Sequence, residues 1–264
     1  MKSIFRKIFQ NIWSLEAAKD TFWYALYLKA FFPLAFEIKR KEKYFYQKII
    51  KYTGSKLIFD IGANYGEKAI IFARIADKVV CVEPSKTAVQ VLNDRFSAFK
   101  NVVIRRNGVG SYDGIALFHE FAKEHAYSTF SDKWDDHVSA FAGKSLADEV
   151  SILTIDSLIS IYGQPDFIKI DVEGWEIEVI RGISSPIKLI SFECNLNQFL
   201  QESIESIHYL SKICEKAKFN YCLTEPPENL ELKQWASAEQ MIEIVSNRGH
   251  SFMEIYCLSE GAVS

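Results

Sequence analysis

The sequence predicts an α/β fold in which a mostly parallel sheet is covered by helices on both faces. Short apolar segments that end in a carboxylate alternate with segments of helical spacing, which is the pattern of repeated strand–helix units. The strand segments are continuously apolar, as is typical of strands buried on both faces. The 264 residues, of which 48% are hydrophobic and 25% charged, are enough for one such domain with additions.

Three strand segments in the first half of the chain establish this rhythm. Residues 57–60 and 79–83 each form a predicted strand that ends in an acid. A helix is predicted over residues 66–76, and a second from Ser85 to about residue 96, with a proline and a serine at its start. Residues 102–105 form the third predicted strand.

A less regular region follows and then the rhythm returns. We expect an insert over about residues 108–149, with one added strand at 115–121 and a polar loop at 123–147 that serves as a lid over the site. Further strands are predicted at residues 150–155, 167–171, 189–193, 219–223 and 251–258, with helices at 173–181, 203–217 and 237–247.

The N-terminal part of the chain differs from the rest. Residues 1–53 are predicted to be a helical extension, and residues 54–264 the main domain. Residues 21–36 are strongly apolar and aromatic, but Lys29 and Pro33 interrupt them, and a spanning helix needs about 20 apolar residues. We expect a helix that packs on the domain, a homodimer contact or a substrate lid, with peripheral membrane contact through residues 1–40 as the alternative.

Charge and cysteine content narrow the class of protein. The net charge is −3, so no overall positive field favours nucleic acid. The cysteines are odd in number and widely spaced, without a Cys-x-x-Cys pair: Cys81, Cys194, Cys214, Cys222 and Cys257. We therefore expect buried free thiols and a cytoplasmic protein.

The densest motif is the turn after the first predicted strand. It begins with Asp60 and continues through Gly62, Ala63 and Asn64 to Gly66. The glycines allow a ligand to approach the backbone, and ligands of open α/β sheets bind at the carboxyl ends of strands. A dinucleotide site needs the spacing G-x-G-x-x-G, whereas this turn reads D-x-G-x-x-x-G. An acid at this turn favours a cationic ligand, so we predict an S-adenosylmethionine site.

Two further segments complete the predicted cofactor site. Glu83, followed by Pro84, ends the second strand, where an acid commonly accepts hydrogen bonds from ribose hydroxyls. Asn107, Gly108 and Val109 follow the third strand and are positioned to meet the edge of the adenine.

Carboxylates after the later strands are the candidates for catalysis. Asp171 and Glu173 follow one strand, and Glu193 ends the next; each is a candidate general base. His125 in the insert is a further candidate. Alternatively, Asp171 and Glu193 together with Asn195 hold a magnesium ion, since oxygen ligands suit that cation.

At these residues the chain resembles the FkbM-like family of methyltransferases. The matching segments lie within residues 56–197 and include FDIGANYGEKAIIFA, VVCVEPS, LTIDSL, PDFIKIDVEGWEIEVIRGI and ISFECN. The resemblance implies a class I methyltransferase (Rossmann-like) fold with seven strands, the last antiparallel. It also implies cytosolic O-methylation of a hydroxyl on a sugar, glycan or natural product. It assigns Asp60, Gly62, Asn64, Gly66 and Glu83 to the cofactor site, and Asp171, Glu173 and Gly174 to the later motif.

Two other functions fit parts of the sequence. A nucleotide-linked sugar oxidoreductase or epimerase shares the fold class, but G-x-G-x-x-G is missing and no Tyr-x-x-x-Lys base is evident. A non-catalytic domain that docks through its aromatic N-terminus is the second alternative, against which the intact cofactor signature counts.

Overall fold

The computed structural model describes residues 20–50, 53–54, 56–121, 127–214, 216–247 and 252–259. The main sheet has seven strands: β1 (Leu57–Ile61), β2 (Lys78–Val82), β3 (Val102–Arg105), β7 (Phe167–Ile170), β8 (Leu189–Asn195), β9 (Lys218–Cys222) and β10 (Phe252–Leu258). Their order is β3-β2-β1-β7-β8-β10-β9, and β10 alone runs antiparallel to its neighbours. The predicted fold class is thus confirmed.

The helices pack around this sheet. They are α1 (Phe22–Phe31), α2 (Pro33–Ile50), α3 (Ala69–Phe72), α4 (Lys86–Arg95), α5 (Asp132–Ala142), α6 (Ile155–Tyr162), α7 (Glu176–Arg181), α8 (Leu196–Ile213) and α9 (Ala238–Asn247). Helix α4 begins as predicted, because the Ser85 hydroxyl accepts a hydrogen bond from the Ala88 amide at 3.1 Å. Two helices are shorter than predicted: the 66–76 segment is helical only in α3, and α7 begins at Glu176 rather than at residue 173.

The insert forms a sheet of its own, which the sequence did not predict. Strands β4 (Gly108–Val109), β5 (Gly114–Glu120) and β6 (Leu146–Leu153) lie in the order β4-β6-β5. The 150–155 segment therefore belongs to this smaller sheet, and helix α5 occupies part of the predicted 123–147 loop. Only Trp134 and Val138 of α5 are buried, so its apolar face is too narrow to stand out among its acids.

Two separate clusters of side chains hold the N-terminal extension in place. The second half of α2 packs into the sheet's core, where the Tyr46 ring meets Phe72 edge-on at 5.0 Å between centroids. Helix α1 packs on the first half of α2 through a separate small cluster around Tyr27 and Leu28. No helix within the described ranges is long and apolar enough to span a bilayer. The boundary at residue 53 stays a prediction.

Arg95 connects the extension to the first strand–helix turn. Its guanidinium donates to both carboxylate oxygens of Asp20, at 2.5 and 2.8 Å, and to the Tyr65 carbonyl at 2.6 Å. The Arg95 residue is 4% exposed, so these hydrogen bonds are shielded from water. Removing the arginine would leave a carboxylate and a carbonyl without their donor.

We expect Arg95→Met to lower the free energy of unfolding by about 3–5 kcal/mol, the usual cost of breaking a buried ion pair. Urea unfolding measures this. Arg40→Met is the matched control, because Arg40 pairs with Glu37 at the surface and is worth about 0–1 kcal/mol. Equal stability losses in the two variants would contradict the anchoring role of Arg95.

Candidate active site

The sequence-predicted site residues surround a cavity of about 420 Å³ at the carboxyl ends of the sheet strands. Its lining includes Gly62, Asn64, Glu83, Pro84, Asn107, Gly108, Val109, Asp171, Glu173, Glu193 and Asn195. A second cavity of about 440 Å³ is lined by Asp60 and Ala63, and it shares Gly62, Asn64 and Asp171 with the first. Of the predicted cofactor-binding residues, only Gly66 lines neither cavity.

The two glycines of the first turn are required by the packing of the protein itself. Both have positive φ, +80° at Gly62 and +78° at Gly66. A Cβ at Gly62 would lie 1.7 Å from the Asp171 carbonyl oxygen, and one at Gly66 would lie 2.7 Å from the Phe96 ring. Contact with Phe96 and helix α4 is thus enough to require a glycine at position 66, and the assignment of Gly66 to the cofactor stays a prediction.

Two buried acceptor atoms beside this turn have no hydrogen-bond partner. They are Oδ2 of Asp60 and Oδ1 of Asn64, and neither has a donor among the described residues. Burial raises the pKa of Asp60 to about 6, although the nearby Lys169 opposes this shift. Asn64 also has a positive φ of 45°, which asparagine tolerates better than most residues. Buried acceptors without donors indicate that a donor-bearing ligand belongs here.

Glu83 is fixed in place at the end of β2. Its carboxylate accepts hydrogen bonds from the amides of Asn64, at 2.8 Å, and Ser85, at 2.9 Å. Burial raises its pKa to about 7 in spite of these two donors. Backbone amides from the two turns that flank the cavity thus hold the Glu83 carboxylate in position.

The smaller sheet forms the far wall of the cavity. Gly108 lies against the Phe130 ring, which a Cβ would approach to 2.4 Å. The Asn107 side-chain amide donates to the Ser151 carbonyl at 3.2 Å, so it is engaged in holding β6. A planar ligand here would meet the apolar residues Val109 and Phe118, which also line the cavity.

Lys169 and Asp171 form an ion pair at the carboxyl end of β7. The Lys169 ammonium is 2.6 Å from Asp171 Oδ2, and Lys169 is 4% exposed. Burial alone would raise the pKa of Asp171, but Lys169 and a hydrogen bond from the Glu193 carboxyl outweigh it and lower the pKa. The described residues contain no cluster of three or more potential metal ligands, so the magnesium hypothesis gains no support.

The pKa values of Glu173 and Glu193 are shifted in the opposite direction from that of Asp171. Burial, followed by the negative charge of Asp171, raises the pKa of both well above the ordinary value. Glu173 has a positive φ of 52°, a strained conformation for a non-glycine residue. The Thr129 hydroxyl donates to the Glu173 carbonyl at 2.7 Å, so the insert helps to hold this conformation.

The sequence analysis gave no role to two residues of this site, Lys169 and Trp134. Lys169 carried a signal, since a lysine within an apolar strand requires a buried counterion. Trp134 carried none, because its position depends on how the insert folds back. The Trp134 indole N–H is buried and has no partner in the described part of the chain. The alternative base His125 lies outside the described residues.

Comparison with known proteins identifies the family to which the chain belongs. The chain matches the family described as the methyltransferase FkbM domain over residues 60–252, and it belongs to this family. The family resemblance inferred from the motifs is thereby confirmed. None of the curated proteins compared with the chain is detectably similar to it.

Among solved structures, the chain is similar to an FkbM methyltransferase from Methylobacillus flagellatus KT, with 15% identity and a TM-score of 0.52. The match covers 84% of this chain and 48% of the other, so the chain spans about half of that relative's length. It also resembles an O-methyltransferase from Bacillus cereus solved with SAH, with 14% identity, a TM-score of 0.42, and coverage of 83% and 80%. At 15% identity, the likeness to the FkbM methyltransferase structure shows the fold alone.

The raised pKa of Asp60 predicts a pH-dependent stability. In the unfolded chain Asp60 ionises near its ordinary value of 3.8, whereas in the folded protein it keeps its proton up to about 6. Its contribution to stability is therefore full below 3.8 and is lost as the pH rises to about 6. Relative to wild type, we expect Asp60→Asn to gain on the order of 3 kcal/mol between pH 4 and 7.

Urea unfolding at a series of pH values measures this difference. The exposed Glu149→Gln provides the control, because it removes a carboxylate outside the cavity and should shift the curve little. Parallel stability curves for wild type and Asp60→Asn would show that Asp60 ionises normally.

Proposed function

We propose that this protein is an S-adenosylmethionine-dependent methyltransferase that methylates a hydroxyl of a sugar, glycan or natural product. The observation that carries the proposal is one cavity with two different ends. A backbone-anchored carboxylate, Glu83, lies at one end, and the half-buried carboxyls of Glu173 and Glu193 lie at the other. Membership in a methyltransferase family supports the same reaction class.

The residues present fit the adenosyl donor. Glu83 would accept hydrogen bonds from the ribose hydroxyls, and the wall of Val109 and Phe118 would hold the adenine. Asp60 has a buried oxygen without a partner, which suits the ammonium of the methionyl group. Because Asp60 lines the second cavity, the methionyl end would lie there, beside Gly62 and Asn64.

Three acids of the chain have separate roles in the proposed reaction. S-adenosylmethionine supplies an electrophilic methyl group carried on a sulfonium. Asp171, kept ionised by Lys169, provides negative charge beside that cation. Glu173 is our candidate for the base that accepts the hydroxyl proton, since its raised pKa makes it, once ionised, a stronger base than Asp171. Glu193 hydrogen-bonds to Asp171 and orients it.

The acceptor end of the cavity suits a molecule with several hydroxyls. Asn195 and Glu225 line it together with the acids, so hydrogen-bonding groups surround the space. Trp134 and Tyr127 add aromatic surface, and the Trp134 indole N–H is a buried donor that a hydroxyl oxygen could satisfy. A ring with an apolar face and polar edges matches this combination.

Calorimetric titration with S-adenosylmethionine tests the cofactor assignment. We expect Glu83→Gln to weaken binding at least about tenfold, because a hydrogen bond to a charged acceptor is worth about 1.5–3 kcal/mol. The exposed Glu149→Gln should bind like wild type. Tight binding of NAD in place of S-adenosylmethionine would favour the oxidoreductase alternative and would overturn the proposal.

Transfer of labelled methyl groups to a panel of sugars, glycans and small phenols tests the reaction. At saturating S-adenosylmethionine, we expect Glu173→Gln to reduce turnover about 100-fold or more, as loss of a general base does. Its affinity for the donor should change little, because the ribose contacts remain. Unchanged turnover in Glu173→Gln would exclude Glu173 as the base, and absence of transfer to any hydroxyl would refute O-methylation.

A further inference from the structure

The N-terminal extension forms part of the wall of the second cavity. Ile38, Lys39 and Glu42 of helix α2 line this space together with Asp60 and Asn64 of the first turn. The match to the methyltransferase family begins at residue 60, so α2 precedes the matched region. The space in which we place the methionyl end of the donor is therefore enclosed partly by residues outside that region.

The methionyl group of the donor carries two opposite charges on one carbon atom, an ammonium and a carboxylate. The buried oxygens of Asp60 and Asn64, which have no partner among the described residues, suit the ammonium. The carboxylate is bonded to the same carbon, so it must lie in the same cavity. A carboxylate removed from water needs a cation or hydrogen-bond donors of its own.

Lys68 supplies a cation to this cavity. Its side chain is 17% exposed, and its Nζ lies 2.6 Å from Glu42 Oε1 and 3.9 Å from Glu225 Oε1. Burial alone would lower the pKa of Lys68, but Glu42 and Glu225 outweigh burial and raise it, so the amine is charged. An ammonium has three donors, and within the described ranges that of Lys68 makes one hydrogen bond, to Glu42. Donors therefore remain for a ligand.

The other two lysines that line the cavity suit the carboxylate less well. Lys39 pairs with Glu67 at 2.9 Å, but both side chains are nearly half exposed, so water screens their charges. The Lys169 ammonium lies 2.6 Å from Asp171, which needs that charge to stay ionised. Lys68 is sheltered from water, and no step of the proposed reaction requires its charge.

Resting on the proposed function, we propose that Lys68 binds the methionyl carboxylate of S-adenosylmethionine, at the end of the cofactor site that helix α2 lines. Asp60 and Lys68 then hold the two opposite charges of one amino-acid group. Charges fixed in this way contribute more to specificity than to affinity. The protein therefore discriminates against adenosyl compounds that lack the carboxylate.

Calorimetric titration with S-adenosylmethionine and with decarboxylated S-adenosylmethionine tests this inference, because the carboxylate is the group in which the two compounds differ. We expect wild type to bind the decarboxylated compound at least about tenfold more weakly, since a hydrogen bond between charged groups is lost. Lys68→Gln should lose this preference, because it binds S-adenosylmethionine more weakly and the decarboxylated compound about as tightly as wild type does. Lys39→Gln is the matched control and should keep the preference.

A second variant separates the contact from an effect on folding. Lys68→Gln leaves Glu42 without its counterion, whereas the double variant Glu42→Gln, Lys68→Gln removes both charges and should show the same lost preference with near-normal thermal unfolding. Equal binding of the two compounds by wild type would overturn the inference and leave the proposed function standing. So would an unchanged preference, or an equal loss of affinity for both compounds, in the two variants. Wild type that binds neither compound would overturn the proposed function as well.

Discussion

The site depends on one close approach, that of the turn after β1 to the end of β7. These strands pair in parallel, with Ile61 opposite Ile170, and the chain then bends at Gly62. A side chain at Gly62 would overlap the carbonyl oxygen of Asp171. In the same pairing of β1 with β7, Asp60 lies directly opposite Lys169. The backbone contact therefore fixes where the charged groups of the site meet.

The acids that meet at these strand ends have pKa values shifted in different directions. Lys169 is buried, so it needs negative partners, and Asp171 becomes the ionised one. The charge on Asp171 in turn raises the pKa values of Glu173 and Glu193, which are already raised by burial. An ionised Asp171 can attract a cation, and a carboxyl of raised pKa is the stronger base once it has lost its proton, so the two kinds of acid suit different roles. If Lys169 were exposed to solvent, the pKa values of Asp171, Glu173 and Glu193 would differ less from one another.

The sequence predicted most of the main sheet and the candidate site, but not the insert. Strands such as β1 and β2 are continuously apolar and end at an acid, so local pattern was enough to place them and Asp60 and Glu83. The insert's β6 has one buried face only, and its partner β5 lies about 30 residues earlier, so its pairing depends on tertiary contacts. For the same reason Trp134 could not be assigned to the cavity before the fold was known. At Gly66 the sequence could not distinguish a ligand turn from a tight helix contact, because both require glycine.

A crystal structure of the protein with S-adenosylhomocysteine would show whether Glu83 and Asp60 hold the two ends of the donor. We expect ribose oxygens within hydrogen-bond distance of the Glu83 carboxylate, at about 2.5–3.0 Å, and an amino group beside Asp60. The sulfur should lie near Asp171, between these two contacts. A ligand bound elsewhere, or a Glu83 carboxylate without contact to the ribose, would contradict this assignment.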